Sequence, residues 1–139
     1  MQNFVRFCLR VFFRVFKTRC SIQFDEKKLP KKGVYVSNHV SFLDPVLLFA
    51  FLPGNPVFAL NGHLYRRKWI RFLMKTADIC LFNPIEPGDI KELIAKVDSG
   101  RLVMIFAEGR VTENGGLMKL YEAPGLVADK SKAPIIPIW

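Results

Sequence analysis

The sequence predicts an α/β protein in which helices flank a largely parallel central sheet, and three observations support this prediction. Short apolar runs alternate with helical patterns between residues 33 and 139. The runs are almost continuously apolar, which is typical of strands buried on both faces of a parallel sheet. The length of 139 residues allows one domain with a sizeable core.

Each strand and helix is predicted from a local pattern. Strands are expected at residues 34–36, 57–60, 79–82, 102–106 and 135–138. Helices are expected at residues 45–52, 65–77, 90–98 and 124–131. The clearest helix has an apolar stripe at the i, i+3, i+4 and i+7 positions, begins with the capping-box pair Asp89 and Glu92, and ends at Ser99-Gly100.

Positive charge is concentrated at the N-terminus. The formal net charge is +9, and residues 1–32 hold nine Lys or Arg and two acidic residues, a local balance of +7. We therefore divide the chain into a basic amphipathic segment with a linker, residues 1–32, and a globular domain, residues 33–139.

The N-terminal segment predicts a helix that lies in a membrane interface. Arg6, Arg10 and Arg14 form a basic stripe, which we expect to meet lipid phosphates, while Phe12 and Phe13 enter the acyl region. The alternative is a helix packed on the domain with its arginines in solvent. The run is too short and too basic to span a bilayer. A nucleic-acid partner is not expected, because the aromatics are not interleaved with the cations.

A histidine and an aspartate five positions apart form the first candidate site. The first predicted strand is followed by the motif N-H-V-S-F-L-D at residues 38–44. We expect His39 in a loop and Asp44 as the N-cap of the next helix, because Pro45 suits the first helical position. A carboxylate that holds one ring nitrogen lets a histidine act as general base on an alcohol. The alternative is an incidental loop histidine beside a capping aspartate.

The second candidate site follows the most apolar predicted strand. Glu108, Gly109 and Arg110 come directly after that strand, at the sheet edge where α/β proteins bind ligands. Glycine permits the close approach of a ligand, and a guanidinium matches a phosphate. If the two strands are parallel neighbours, His39 and Arg110 share one edge; a simple surface turn is the alternative.

Other chemistries lack their motifs. The sequence contains no G-x-S-x-G nucleophile elbow and no glycine-rich phosphate or dinucleotide loop, so Ser41 is a weak alternative nucleophile. His39 and His63 are the only histidines, which leaves no zinc or iron ligand set, and we expect no bound metal or cofactor. The three cysteines have no paired spacing and indicate reduced thiols in a cytosolic setting.

The order of these motifs resembles the glycerolipid acyltransferases of bacterial membranes, the 1-acylglycerol-3-phosphate acyltransferase type. The resemblance rests on N-H-x-x-x-x-D at residues 38–44, F-x-E-G at residues 106–109 and the final I-P-I strand. It implies that His39 is the general base and Asp44 its orienting partner. The acceptor's phosphate and glycerol are expected to contact Asn38, Glu108, Gly109 and Arg110, and the acyl-donor side to include Pro137.

Three further motifs are most similar to the acyltransferase half of bifunctional bacterial enzymes that join a 2-acylglycerophosphoethanolamine acyltransferase to an acyl-carrier-protein synthetase. They read F-x-E-G-R-x-T, G-x-L-M-K and Y-x-x-P-G-x-V-A-x-K-S. This similarity implies an adenylating synthetase domain in a full-length protein and a domain truncated at its C-terminal end. Ala107 and Arg110 depart from the common F-P-E-G-T-R-S pattern, and Asn83 replaces a usual arginine, which favours a lysophospholipid with a larger head group.

The activity that the resemblance implies is acyl transfer at a membrane. A fatty acyl group is expected to move from an acyl-carrier-protein or coenzyme A thioester to the free glycerol hydroxyl of a lysophospholipid, either 2-acylglycerophosphoethanolamine or 1-acylglycerol-3-phosphate. The expected location is the cytoplasmic face of the inner membrane, as a peripheral or monotopic protein among membrane phospholipids. A catalytically inactive lipid-binding remnant and a thioester hydrolase are the alternatives.

Overall fold

The computed structural model describes residues 2–15, 29–66, 68–83, 85–112 and 119–138. The strands are β1 (Gly33–Ser37), β2 (Val57–Leu60), β3 (Ile79–Leu81), β4 (Leu102–Phe106) and β5 (Ile135–Ile138). The helices are α1 (Gln2–Val15), α2 (Asp44–Phe51), α3 (Gly62–Tyr65), α4 (Lys68–Leu73), α5 (Pro87–Asp98) and α6 (Ala123–Lys130), and a 3-10 turn (Met74–Thr76) follows α4.

The five strands form one parallel sheet in the order β3-β2-β4-β1-β5. The predicted fold class is therefore confirmed: the chain has an α/β fold with helices around a parallel sheet and a helix at its N-terminus. The predicted strands agree with the observed ones to within a residue at each end, because buried parallel strands leave a clear apolar signature.

The core lies on both faces of the sheet, and β4 is buried along its whole length. On one face Leu102, Met104 and Phe106 pack in a cluster with side chains of α1, α2 and α3. On the other face Val103 and Ile105 pack against α5 and α6. The parallel pairing of β1 with β4 holds the carboxyl ends of these two strands side by side.

Two predicted helix starts are wrong in detail. The N-cap of α2 is Leu43, whose side chain makes no capping hydrogen bond, and Asp44 is the first residue of the helix. The reason is that the Asp44 carboxylate turns back to accept hydrogen bonds from the preceding loop. Likewise α5 begins at Pro87 with no side-chain cap. Asp89 accepts the Asn83 N–H instead of forming the predicted capping box.

The single helix predicted at residues 65–77 is also wrong. The chain forms α3, α4 and the 3-10 turn in its place. Tyr65 and Ala77 both pack against the same core cluster. Both ends of this segment therefore pack on the same face of the sheet.

The helix α1 packs on α2, and its orientation corrects the predicted one. Arg6 is buried and donates hydrogen bonds to the Leu52 carbonyl and to the Asn55 side chain. Arg10 donates from Nε to the Ala50 carbonyl at 2.6 Å. Arg6 and Arg10 thus face the C-terminal end of α2, where unpaired carbonyls carry partial negative charge.

The predicted membrane-interface residues therefore divide into two groups. Arg6 and Phe13 are buried, where Arg6 bonds to the Leu52 carbonyl and Phe13 packs in one cluster with Val46 and Ala50. Arg10, Phe12 and Arg14 are exposed. Among the described helices, none combines the length and apolarity needed to cross a bilayer.

Candidate active site

The register of β1 and β4 brings the two candidate sites together. Ser37, the last residue of β1, pairs with Phe106, the last residue of β4. His39 and Glu108 each stand two positions beyond these paired residues. Parallel neighbours end at one edge, so the loop with His39 and the turn with Glu108 become adjacent.

His39 and Asp44 form a hydrogen-bonded pair. His39 Nδ1 lies 3.0 Å from Asp44 Oδ2. The same oxygen accepts the backbone N–H groups of Val40 and Ser41, each at 2.8 Å. The His39 ring stacks on Phe106 with the ring centroids 4.1 Å apart. With Nδ1–H donated to the carboxylate, Nε2 is left as the basic nitrogen.

The surroundings of Asp44 keep it ionised. Burial acts to raise the pKa of this carboxyl, but hydrogen bonds from the His39 ring and from the Ser41 and Val40 N–H groups outweigh burial and lower the pKa below its ordinary value. A carboxylate that stays charged can stabilise a protonated imidazole. The pair can therefore accept a proton at Nε2 and hold the resulting charge.

Glu108 supports the loop that carries His39. Its side chain is buried, with 2% of the residue exposed. Glu108 Oε1 accepts the backbone N–H of His39 at 3.4 Å. The other oxygen, Oε2, has no hydrogen-bond partner within the described ranges. Glu108 therefore contacts the His39 backbone directly and presents one buried acceptor that is still available.

The turn after β4 places Arg110 at the same sheet edge. Gly109 has a φ of +65° and turns the chain. The Thr112 N–H then donates to the His39 carbonyl at 2.7 Å. Arg110 lies between Gly109 and Thr112 in the sequence, and its side chain is exposed. Arg110 thus lies in the segment that is bonded to the His39 loop, and its guanidinium is accessible to a ligand in solvent.

The other candidate residues lie at different distances from this pair. Asn38 is half-buried, and its Oδ1 accepts the Ser37 hydroxyl at 3.5 Å. Pro137 lies in β5, where it pairs with Val36 and is exposed. The Ser41 hydroxyl accepts the Leu43 N–H and so stabilises the loop turn. The register thus places Pro137 beside Val36 of β1, three residues before His39.

Two contacts at the site were missed by sequence reasoning. The stacking of Phe106 under His39 and the Thr112 bond to His39 both join segments about seventy residues apart. Only the pairing register could have indicated them, because the motif that contains Phe106 and Thr112 does not show which loop it contacts. Within the part of the chain that the structure describes, no three His, Cys, Asp or Glu side chains gather as a metal site.

The chain belongs to the Acyltransferase family, which matches residues 21–139. Its fold is similar to that of the 1-acyl-sn-glycerophosphate (LPA) acyltransferase PlsC from Thermotoga maritima, with a TM-score of 0.75 and 17% sequence identity. The match covers 98% of this chain and 56% of that one, so the chain spans little more than half the length of that enzyme.

Proposed function

We propose that this chain carries the catalytic pair of a membrane-associated O-acyltransferase that acylates the free glycerol hydroxyl of a lysophospholipid. The observation that carries the proposal is the 3.0 Å contact between His39 Nδ1 and Asp44 Oδ2 at the carboxyl edge of the sheet. Membership in the Acyltransferase family supports the reaction class. The acyl donor is proposed to be an acyl-carrier-protein or coenzyme A thioester.

In the proposed mechanism His39 acts as general base. Nε2 removes the proton from the glycerol hydroxyl while Asp44 stabilises the imidazolium. The oxygen attacks the thioester carbonyl, a new C–O bond forms, and the C–S bond breaks as the tetrahedral intermediate collapses. The thiolate leaves and takes up the proton held by His39. General-base assistance of this kind is worth about 10²–10⁴-fold in rate.

The neighbouring residues are proposed to place the acceptor. Arg110 is exposed beside the His39 loop, which suits a contact with the lipid phosphate. Glu108 Oε2 is a buried acceptor at the same edge, which suits a glycerol hydroxyl or a loop-positioning role. Asn38 is proposed to help bind the acceptor, and Pro137 to border the donor side.

Membrane contact is proposed through the outward face of α1 rather than through its arginine stripe. Phe4, Phe7, Val11 and Val15 are all exposed and recur at helical spacing. Phe4 alone exposes 71% of its surface. An apolar helix face of this kind is typical of an interfacial helix, and we propose that it rests on the cytoplasmic leaflet of the inner membrane.

Product identification by mass spectrometry tests the proposed reaction. The chain is incubated with 2-acylglycerophosphoethanolamine, 1-acylglycerol-3-phosphate and other lysophospholipids, each with an acyl-carrier-protein and a coenzyme A donor. We expect a diacyl product, with the larger head group preferred as in the bifunctional enzymes that the motifs resemble. Free fatty acid that forms equally without acceptor would indicate a thioester hydrolase. Vesicle binding without turnover would indicate a lipid-binding remnant.

A further inference from the structure

Between β2 and β3 the described residues include four exposed cations and an exposed phenylalanine. We call this group the α4 patch; it consists of Arg66, Lys68, Arg71, Phe72 and Lys75, all exposed. Phe72 alone exposes 78% of its surface. Residues 61–77 contain no acidic residue. Among the described residues, none of the four cations has an ion-pair partner.

The α4 patch lies in the same helical layer as α1. Tyr65, which ends α3, packs in one core cluster with Val5 and Leu9 of α1. The helices α5 and α6 pack against the cluster on the opposite face of the sheet. The segment that carries the patch therefore packs on the same face of the sheet as α1, with Tyr65 and Ala77 at its two ends.

The composition of the patch matches an anionic lipid surface. Lysine and arginine near a bilayer gain from anionic head groups, and their long stems can lie along the acyl boundary. An exposed phenylalanine gains by entering that boundary. An acidic protein could pair with the cations, but it would need a matching pocket for Phe72, whereas lipid accommodates the ring without one.

We propose that the α4 patch is a docking surface for an anionic phospholipid bilayer, with Phe72 entering the interface and the four cations contacting the head groups. This inference deepens the proposed function, because an enzyme that acylates a lysophospholipid must stay at a bilayer. It concerns binding alone and assigns no catalytic role to the patch.

Vesicle binding of charge-reversed variants tests the inference. The probes are vesicles of equal parts phosphatidylcholine and phosphatidylglycerol, and vesicles of phosphatidylcholine alone. We expect Arg71→Glu with Lys75→Glu to weaken binding to the anionic vesicles by roughly tenfold or more. The matched control, Lys91→Glu with Lys130→Glu on the opposite helical layer, changes the net charge equally and is expected to bind within about twofold of the parent.

The aromatic side chain is tested separately. Phe72→Ser is expected to weaken binding to both kinds of vesicle by about tenfold. Leu126→Ser, an exposed apolar position on α6, serves as its control and is expected to leave binding unchanged. Circular dichroism checks that each variant folds, and the glutamine pair Arg71→Gln with Lys75→Gln replaces the reversal should that variant unfold.

The binding measurement is independent of turnover, so its failure is distinguishable from failure of the proposed function. Equal affinity of the α4 reversal and its control for anionic vesicles would overturn the inference. Unchanged vesicle affinity together with lost binding to an acidic acyl carrier protein would also overturn it and would reassign the patch to protein docking. A reversal that weakens binding to anionic vesicles, while the rate on detergent-dispersed lysophospholipid stays unchanged, is the supporting result.

Discussion

Asp44 acts on its surroundings through one oxygen. Oδ2 accepts hydrogen bonds from the His39 ring and from the backbone of Val40 and Ser41. The carboxylate therefore holds the whole loop as well as the imidazole. Loop conformation and ring orientation are consequently coupled, and loss of the charge is expected to disturb both.

The lowered pKa of Asp44 gives a pH prediction. An aspartate with a depressed folded-state pKa stabilises the fold fully above its unfolded value of about 3.9, and this stabilisation is lost as pH falls through the folded value. We expect Asp44→Asn to flatten the acid side of the stability curve, measured as free energy of urea unfolding between about pH 5 and pH 2. Ser41→Ala, in the same loop but without loss of an ionisable group, should keep the parental slope; equal slopes for both variants would contradict the account.

The Gly109 turn is a second test at the scale of the residue. Its φ is +65°, and an added Cβ would lie 3.0 Å from Tyr121 Cε2. We expect Gly109→Ala to lower the free energy of unfolding by about 1–2 kcal/mol. Gly88→Ala, in open space on α5, is the control and should be neutral or slightly stabilising. Equal stabilities of the two variants would show that the turn is not strained.

At the scale of the element, α1 shows that a basic stripe can serve contacts within the fold. A basic stripe beside apolar positions is typical of a helix at a lipid surface. In the folded chain Arg6 and Arg10 instead contact carbonyls at the end of α2. Those acceptors exist only once α2 has formed and packed, so the sequence of α1 alone could not indicate them.

Removal of Arg6 tests this packing. We expect Arg6→Ala to destabilise the protein by about 2 kcal/mol, because the buried Leu52 carbonyl loses a charged donor. Arg14→Ala, one turn beyond Arg10 and exposed, should stay within about 0.5 kcal/mol of the parent. Thermal or urea unfolding measures both. Equal effects would mean that α1 does not pack as described.

The proposed membrane contact of the exposed apolar face of α1 is tested by vesicle binding. We expect Phe4→Ser with Phe7→Ser to weaken binding to phospholipid vesicles by about tenfold or more, because two exposed aromatic rings lose their gain from entering lipid. The fold should be unaffected, since both side chains point away from α2. Vesicle sedimentation measures binding. Parental binding by this variant would remove α1 from the proposed membrane contact.

At the scale of the whole molecule, much of the architecture and of the site could be predicted. The apolar runs indicated every strand, and the spacing of His39 and Asp44 indicated the pair. The adjacency of His39 and Glu108 needed only the assumption that β1 and β4 are parallel neighbours, which the sheet order confirms. The division of residues 65–77 into shorter helical elements could not be predicted, because this stretch contains no glycine or proline to indicate an interruption.

The most direct test of the central claim is the acyl-transfer rate of three loop variants on one lysophospholipid. If His39 is the base and Asp44 its partner, His39→Ala should lower the rate by about 10²–10⁴-fold. Asp44→Asn should lower it substantially, and Ser41→Ala should retain a rate near the parental value. Near-parental rates for His39→Ala and Asp44→Asn, or a comparable loss in Ser41→Ala, would contradict the assignment.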